Sequence, residues 1–378
     1  MQSAVYINKD NFLHNLNVIK KLAGKDVKIM AVVKANAYGH DISLISKLCQ
    51  QSKKIDCLGV AEIEEGLLLR KQGIKLPILV LCHTSISLNL FKQAILNNLE
   101  LAIYDFATAN QLFKVACQLK KKVKIHLKLE TGLNRLGFDI SQISELKKIF
   151  ALKNIEIKGV FSHLSAVERD NLKYSDKQLK RFNDFLDVLK KLNIVKKNTE
   201  IHLAASAAFF NFKNSKFNLS RLGISVYGLY PSLEIQKYCQ KHEIFLKPVL
   251  SWKAKIVAVK KCCKGEAVGY GCSYQVKNPM KIAIISVGYA DGLDRKLSNT
   301  GRVLVLGQYA PIIGRVAMNM TVIDVSKISK NVKIGEEVIL IGRQGDKEIS
   351  VDELAKLIGT INYEVVTRIN WSIIRKLI

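Results

Sequence analysis

At 378 residues, 48% of them hydrophobic, the chain is long enough for two domains with sizeable cores. No apolar run approaches the ~18 residues of a membrane span, and the start, MQSAVYINKDN, lacks the basic-then-apolar order of a secretory leader, so a cytoplasmic protein with no membrane partner is expected. The formal charge of +27 invites a nucleic-acid partner, but the lysines run along the whole chain and no zinc finger, RNP-like motif or helix-turn-helix signature goes with them, so solvated helix faces and no nucleic acid are expected.

In chain order, AVYINK (4–9) reads as a short strand. Residues 10–22 read as a helix with Phe12, Leu13, Leu16 and Ile19 on one face and Asp10 at the cap. A rhythm then begins. Strand-like runs fall at 27–33, 55–61, 77–82, 99–104, 123–129, 155–163, 200–205 and 219–226, with helical patterns such as EIEEGLLLRKQG (62–73) between most of them. Eight strands alternating with helices predict an α/β fold, a (β/α)8 barrel over 10–231. An open doubly wound sheet fits less well, because no Gly-rich dinucleotide loop follows the first strand of the series. After Tyr230-Pro231 a linker is expected to about 245. Then VLSWKAKIVAV, KIAIISVGYA, RVLVLGQYAPII, MTVIDV and EEVILIG predict a C-terminal all-β domain over 245–378, which strand 1–9 joins. The eight cysteines include no CxxC pair, so neither a metal cage nor a disulfide framework is expected.

The stretch that organises this pattern is DVKIMAVVKANAYGH (26–40). Lys34 follows a buried strand and precedes a loop and a helix, the edge where α/β folds place chemistry. A lysine against apolar walls loses part of its preference for the charged form, which frees the amine as nucleophile or base. A lone lysine there also fits a plain snorkelling role.

AVVKANAYGH resembles the cofactor-lysine motif of the alanine racemase family, enzymes dependent on pyridoxal 5'-phosphate (PLP). The resemblance implies that Lys34 binds the cofactor covalently and that Tyr38 holds its phosphate. It extends over nearly the whole chain. KIHLKLETGLNRLGF supplies Lys128, carbamylated in many members, and Arg135, which binds the substrate carboxylate. The sequence leaves both forms of Lys128 open, free amine and carbamate. GVFSHLSAVERD supplies His163, which orients the catalytic tyrosine. IHLAASAA supplies the site histidine His202 and the phosphate-binding Ser206, with Ala205 where the family commonly has asparagine. SRLGISVYGLYPS supplies Arg221 facing the pyridine nitrogen, and Gly223 and Ile224, whose amides hold the phosphate. A permanently charged arginine there discourages protonation of the ring nitrogen and so limits transamination.

In the second domain, EAVGYGCSY supplies Tyr270 as the second base, preceded by Gly269 instead of the usual serine. SVGYADGLDRKL supplies Tyr289, which narrows the entrance. GRVAMNMTVIDV supplies Met318, whose amide meets the substrate carboxylate, followed by Asn319 in place of the usual aspartate. INYEVVTRI supplies the phosphate ligand Tyr363, and the ending WSIIRKLI lacks the family's proline. By resemblance the protein is an alanine racemase, and no metal is implied. It would act as a homodimer whose Tyr270, Tyr289 and Met318 reach the partner's site. Its two bases, Lys34 and Tyr270, would interconvert L- and D-alanine for cell-wall peptidoglycan. Three alternatives stand beside this reading: racemisation of serine or lysine, PLP-dependent decarboxylation on the same fold, and a non-catalytic PLP-binding protein. The decarboxylase lacks its Gly-rich loop and Cys motif here. The PLP carrier lacks any counterpart of 245–378.

Overall fold

The structure, a computed structural model, describes residues 3–82, 87–168 and 172–378. Residues 1–2 of the expected first strand lie outside the described residues. The chain divides into two units. One comprises Phe12–Ala37 and Ile42–Lys247; the other comprises residues 3–11, Tyr38–Asp41 and Pro248–Ile378.

β1 (Ser3–Ile7) belongs to the second unit. The first unit is built on β2 (Lys28–Val32), β3 (Cys57–Val60), β4 (Ile78–Val80), β5 (Glu100–Ile103), β6 (Val123–Lys128), β7 (Ile155–Phe161), β8 (Glu200–His202) and β9 (Leu219–Leu222). They pair in the order β8-β7-β6-β5-β4-β3-β2-β9, every pair parallel. Just past β8, the Arg221 amide of β9 donates to the Ala204 carbonyl at 3.0 Å and brings the two ends of the sheet together. This is a (β/α)8 barrel. Past its first residue β2 reads as an unbroken apolar run, as do β3 and β4, because both faces are covered, and Met30, Cys57, Leu79 and Leu219 pack inside the barrel.

The helices show why the charge is scattered. Lys173–Lys191 buries Phe182, Phe185, Leu186 and Leu189, while Lys173, Lys177, Lys180 and Lys190 are exposed. Two local expectations are corrected. The helix Lys9–Ala23 is capped by Asn8, whose Oδ1 accepts the Asn11 amide at 2.8 Å, not by Asp10, which already lies in its first turn. The expected linker through 245 contains a helix, Leu233–Lys241, capped by the Ser232 hydroxyl and held by the buried Ile235 and Cys239. Two apolar anchors among charged residues gave too narrow a stripe to be seen in the sequence.

The second unit is a sheet of β10 (Leu250–Cys262), β13 (Met280–Ile285), β14 (Arg302–Val305), β15 (Gln308–Pro311), β16 (Thr321–Asp324), β17 (Glu337–Gln344), β18 (Lys347–Ile349), β19 (Arg375–Leu377) and β1, beside a two-residue ribbon, β11 (Ala267–Val268) with β12 (Tyr274–Gln275). β1 lies between β10, to which it is antiparallel, and β19, to which it is parallel. Two short helices, Val351–Ile358 and Asn362–Thr367, complete this unit.

Gly39 is fixed by this second unit. Its φ is +80°, and a Cβ there would stand 2.1 Å from the Val366 carbonyl oxygen, inside any tolerable contact. Gly39→Ala is therefore expected to cost about 1–3 kcal/mol from backbone strain and to force the loop away from the helix Asn362–Thr367. Chemical denaturation of the two proteins side by side checks the loss.

Candidate active site

Lys34 stands two residues past the end of β2, and the four residues after it turn the wrong way for an L-chain. Ala35, Asn36, Ala37 and Tyr38 all have φ near +53°, a left-handed turn without a single glycine. Each such residue costs roughly 1–2 kcal/mol, and strain of this kind persists only where the surroundings over-determine it. Here they do. The Ala35 amide donates to Glu65 Oε1 at 2.7 Å, and the other oxygen of Glu65 accepts the Ala61 amide at 2.8 Å. The Ala37 amide donates to the Val33 carbonyl at 2.8 Å, and Asn36 Oδ1 accepts the Ile42 amide at 2.9 Å. The buried Tyr227 hydroxyl donates to the Val32 carbonyl at 2.9 Å, tying the last residue of β2 to the turn beyond β9. The result is a lysine whose root cannot shift.

Around Lys34 the barrel mouth gathers several cationic groups. The Lys34 amine still reaches solvent, but the protein around it lowers its pKa by desolvation, and the charge of Arg135 adds to this. Lys128, the last residue of β6, is buried, and that burial together with Arg135 pushes its amine down to about 8. His163, beyond β7, falls to about 3 because burial and then the charges of Arg221, Arg135, Lys128 and Lys34 all oppose its protonation. It is a neutral imidazole at physiological pH. The structure thus brings Lys34, Lys128, Arg135, His163 and Arg221 into one electrostatic neighbourhood.

The nearby carboxylates are already committed to backbone. Glu65 holds two amides, and Glu130 accepts the amides of Gly132 and Arg135, the latter at 3.2 Å, so that it shapes the loop carrying Arg135. Neither glutamate was singled out from the sequence; a carboxylate beside a strand end with two or three amides to satisfy has no spacing signature.

Arg221 is the deepest of the cations. Its guanidinium donates to the carbonyls of Ser162 (2.7 Å), His202 (2.8 Å) and Leu203 (3.1 Å), to His202 Nδ1 (2.8 Å) and, from 3.3 Å, to His163 Nδ1. Burial lowers it to about 9, which still leaves it charged at neutral pH. Phe161 floors the group: His202 stacks on it with ring centroids 4.7 Å apart, and Arg221 lies over the same ring. Nearby, the Ser206 hydroxyl accepts the Gly223 amide at 3.1 Å, with Ile224 next in the chain. Ala205 stands at the cap of the helix Ser206–Asn211 and offers no side-chain oxygen there.

The remaining candidates lie in the sheet unit. Tyr38 and Tyr363 face one another, ring centroids 6.1 Å apart and tilted by 50°. Burial raises the Tyr38 hydroxyl to about 12, so it stays a donor. Tyr289 and Met318 stand on paired backbone: the Tyr289 amide donates to the Ala317 carbonyl and the Ala290 amide to that of Met318. Tyr270 follows Gly269, whose φ of +79° and near contact with the Arg315 amide leave no room for a serine side chain without strain. Tyr270 is 72% exposed and Met318 56%.

A titration follows from Lys128. Its pKa in the fold lies below the ordinary 10.5, so between about pH 8 and 10.5 the folded protein holds fewer protons than the unfolded chain. Stability should therefore rise with pH across that window in CO2-free buffer, and Lys128→Met should flatten the rise. Unfolding free energies measured from pH 7.5 to 10.5 for both proteins check the sign.

Residues 7–231 match the family described as alanine racemase, N-terminal domain, and residues 249–377 the alanine racemase, C-terminal domain. The chain is 38% identical over 366 residues to alanine racemase 2 of Caldanaerobacter subterraneus subsp. tengcongensis, covering 96% of this chain and 91% of that one. It is also 38% identical over 368 residues to the alanine racemase of Clostridium novyi, covering 96% and 92%. Among solved structures, the alanine racemase of Clostridium difficile 630 superposes with a TM-score of 0.92 at 32% identity, over 100% of this chain and 96% of that one. The alanine racemase of Bacillus anthracis with bound L-Ala-P gives 0.92 at 34%, over 100% and 95%. Two halves matched in order, relatives aligned nearly end to end and a lysine poised at the barrel mouth lead to one statement: this chain belongs to the alanine racemase family.

Proposed function

We propose that the protein is a PLP-dependent alanine racemase in which Lys34 and Tyr270 exchange the α-proton from opposite faces. The observation that carries the reading is Lys34 itself, its amine made more available just past β2 by desolvation and the charge of Arg135, beside a His163 that Lys34, Lys128, Arg135 and Arg221 together keep neutral. The donor set fits PLP: a lysine whose free amine is made more available can join an aldehyde, and a mouth rich in cations and hydrogen-bond donors suits an anion bearing a phosphate. Ser206, Gly223, Ile224, Tyr38 and Tyr363 would hold the phosphate, and Arg221 would face the ring nitrogen. When bound, PLP supplies an electron sink that acidifies the α-carbon.

The chain's own groups do the rest. Arg135 takes the substrate carboxylate with its planar fork, helped by the Met318 amide, while Tyr289 narrows the entrance. Arg221 keeps its charge in the barrel and would discourage protonation of a ring nitrogen held against it, which would favour return of the proton to the α-carbon over its loss elsewhere. Lys34 moves the proton on one face. Tyr270 moves it on the other, oriented by the neutral imidazole of His163. Lys128, with an amine brought near neutrality, is suited to take up CO2 as a carbamate, which would turn its repulsion of Arg135 into attraction. Tyr270 and Met318, exposed on one copy, fit a homodimer in which they complete the site of the partner. The same reading places the enzyme in the cytoplasm, supplying D-alanine to peptidoglycan.

Two experiments test this. Lys34→Ala is expected to abolish covalent retention of PLP after borohydride reduction; retention at wild-type stoichiometry would refute the assignment. Tyr270→Ala, with PLP still bound, is expected to lower racemisation by about 10²–10⁴-fold. It should keep exchange of the α-proton of D-alanine with deuterated water and nearly lose that of L-alanine. Equal loss from both enantiomers would rule out two separate bases.

A further inference from the structure

Arg221 is 4% exposed, and among the described residues no carboxylate bonds to its guanidinium. Its counter-charge lies further down the barrel. His202 Nε2 is 2.8 Å from His126 Nδ1, and His126 Nε2 is 3.1 Å from Glu100 Oε2. Both histidines are fully buried and Glu100 is 6% exposed. We propose that Glu100 and His126 are positioning residues, which fix the tautomer of His202 through a one-way hydrogen-bond chain and so hold the Arg221 guanidinium at the barrel mouth.

The ends dictate the direction. A guanidinium only donates and a carboxylate only accepts. Arg221 places a proton on the bond to His202 Nδ1, so the ring proton of His202 sits on Nε2. That proton is donated to His126 Nδ1, so the proton of His126 sits on Nε2 and is donated to Glu100. Every bond is satisfied with both imidazoles neutral and opposite charges at the two ends. A proton on His126 Nδ1 would have to be accepted by His202 Nε2, which would push the ring proton of His202 onto Nδ1, facing Arg221. Glu100 is kept ionised: burial opposes its charge, but the hydrogen bond donated by His126 and the charges of Lys124 and Lys158 prevail.

The chain is built in, not incidental. β5, β6, β8 and β9 each contribute one member, and β7 contributes a vacancy. Gly159 of β7 pairs with His126, and a Cβ on it would lie 2.2 Å from His126 Nδ1. The ladder between β6 and β7 shifts register at that point, a bulge of the kind that re-aims a side chain. Glu200 also lies near His126, 3.9 Å from Nε2, but its other oxygen is held by Lys28 at 2.7 Å with Lys158 nearby, so the three acidic and imidazole groups form an ion-pair terminus rather than an open cation site.

The spectroscopic arm of the test is independent of the cofactor reading, and the kinetic arm rests on it. In the full chain labelled with 15N-histidine, solid-state NMR should find His126 and His202 both protonated at Nε2 alone, His126→Gln serving for assignment. Glu100→Leu removes the terminal acceptor and should shift protons to Nδ1 on both rings. Glu100→Gln retains an acceptor carbonyl and should restore the wild-type spectrum. Gly159→Ala, which displaces His126 directly, should reproduce the change with Glu100 intact. With PLP and alanine, Glu100→Leu should lower kcat by roughly tenfold, the scale on which outer partners of metal-bound histidines act. KM should be nearly unchanged, and a larger fraction of turnovers should end in pyruvate. A wild-type His202 protonated at Nδ1, or a Glu100→Leu protein with wild-type spectrum and kcat, overturns the proposal; the wild-type spectrum alone decides it if that variant does not fold. Altered tautomers with unaltered kcat would instead overturn the placing of Arg221 at the cofactor.

Discussion

A guanidinium inside a barrel has lost the water that made its charge tolerable, and removing one partner of such a group costs far more than the interaction is worth at a surface. Arg221 meets that constraint with three carbonyls, an imidazole on each side and an aromatic floor. Much of the site follows from this arrangement. The carbonyls come from the ends of β7 and β8, so these ends must converge on β9. The imidazoles must be neutral, since a second cation at that distance would repel the first, and burial keeps His163 and His202 so. Desolvation at the mouth, helped by the charge of Arg135, depresses the amines of Lys34 and Lys128 and gives them chemistry that a surface lysine lacks.

The second constraint is mechanical. A lysine that must present its amine repeatedly needs a fixed root, and the left-handed turn after Lys34 supplies it at a cost borne by Glu65, Asn36, Val33 and the packing of Gly39. Without a side chain like Glu65 to take the Ala35 amide, the relaxed alternative for Ala35–Ala37 is an ordinary right-handed turn, which would re-aim Lys34. Fold and reactivity are thus coupled through backbone hydrogen bonds more than through the lysine's own contacts.

The barrel was legible because parallel strands covered on both faces leave continuous apolar runs, and the run ending at Lys34 is the plainest of them. Tyr270, Tyr289 and Met318 are named only by family resemblance; nothing in their spacing separates an exposed tyrosine from a packed one. The left-handed turn was not legible, since Ala-Asn-Ala-Tyr carries only Asn36 as a residue that tolerates positive φ. The helix Leu233–Lys241 was missed for want of apolar residues, and the Asn8 cap because Asp10, two positions on, is as good a cap by type. His126 could have been found: in KIHLK it stands two residues before Lys128, so strand alternation points both side chains the same way.

Gly159 and His126 are, in effect, one heritable character. A methyl group at 159 is incompatible with the imidazole at 126, and a smaller residue at 126 would leave a void that glycine cannot fill. Neither position can drift alone, so related chains should change both together or neither. A pair of aligned positions that covaries in this way, far from any substrate, would trace where the barrel axis is polar across the family and where it has reverted to an ordinary apolar core.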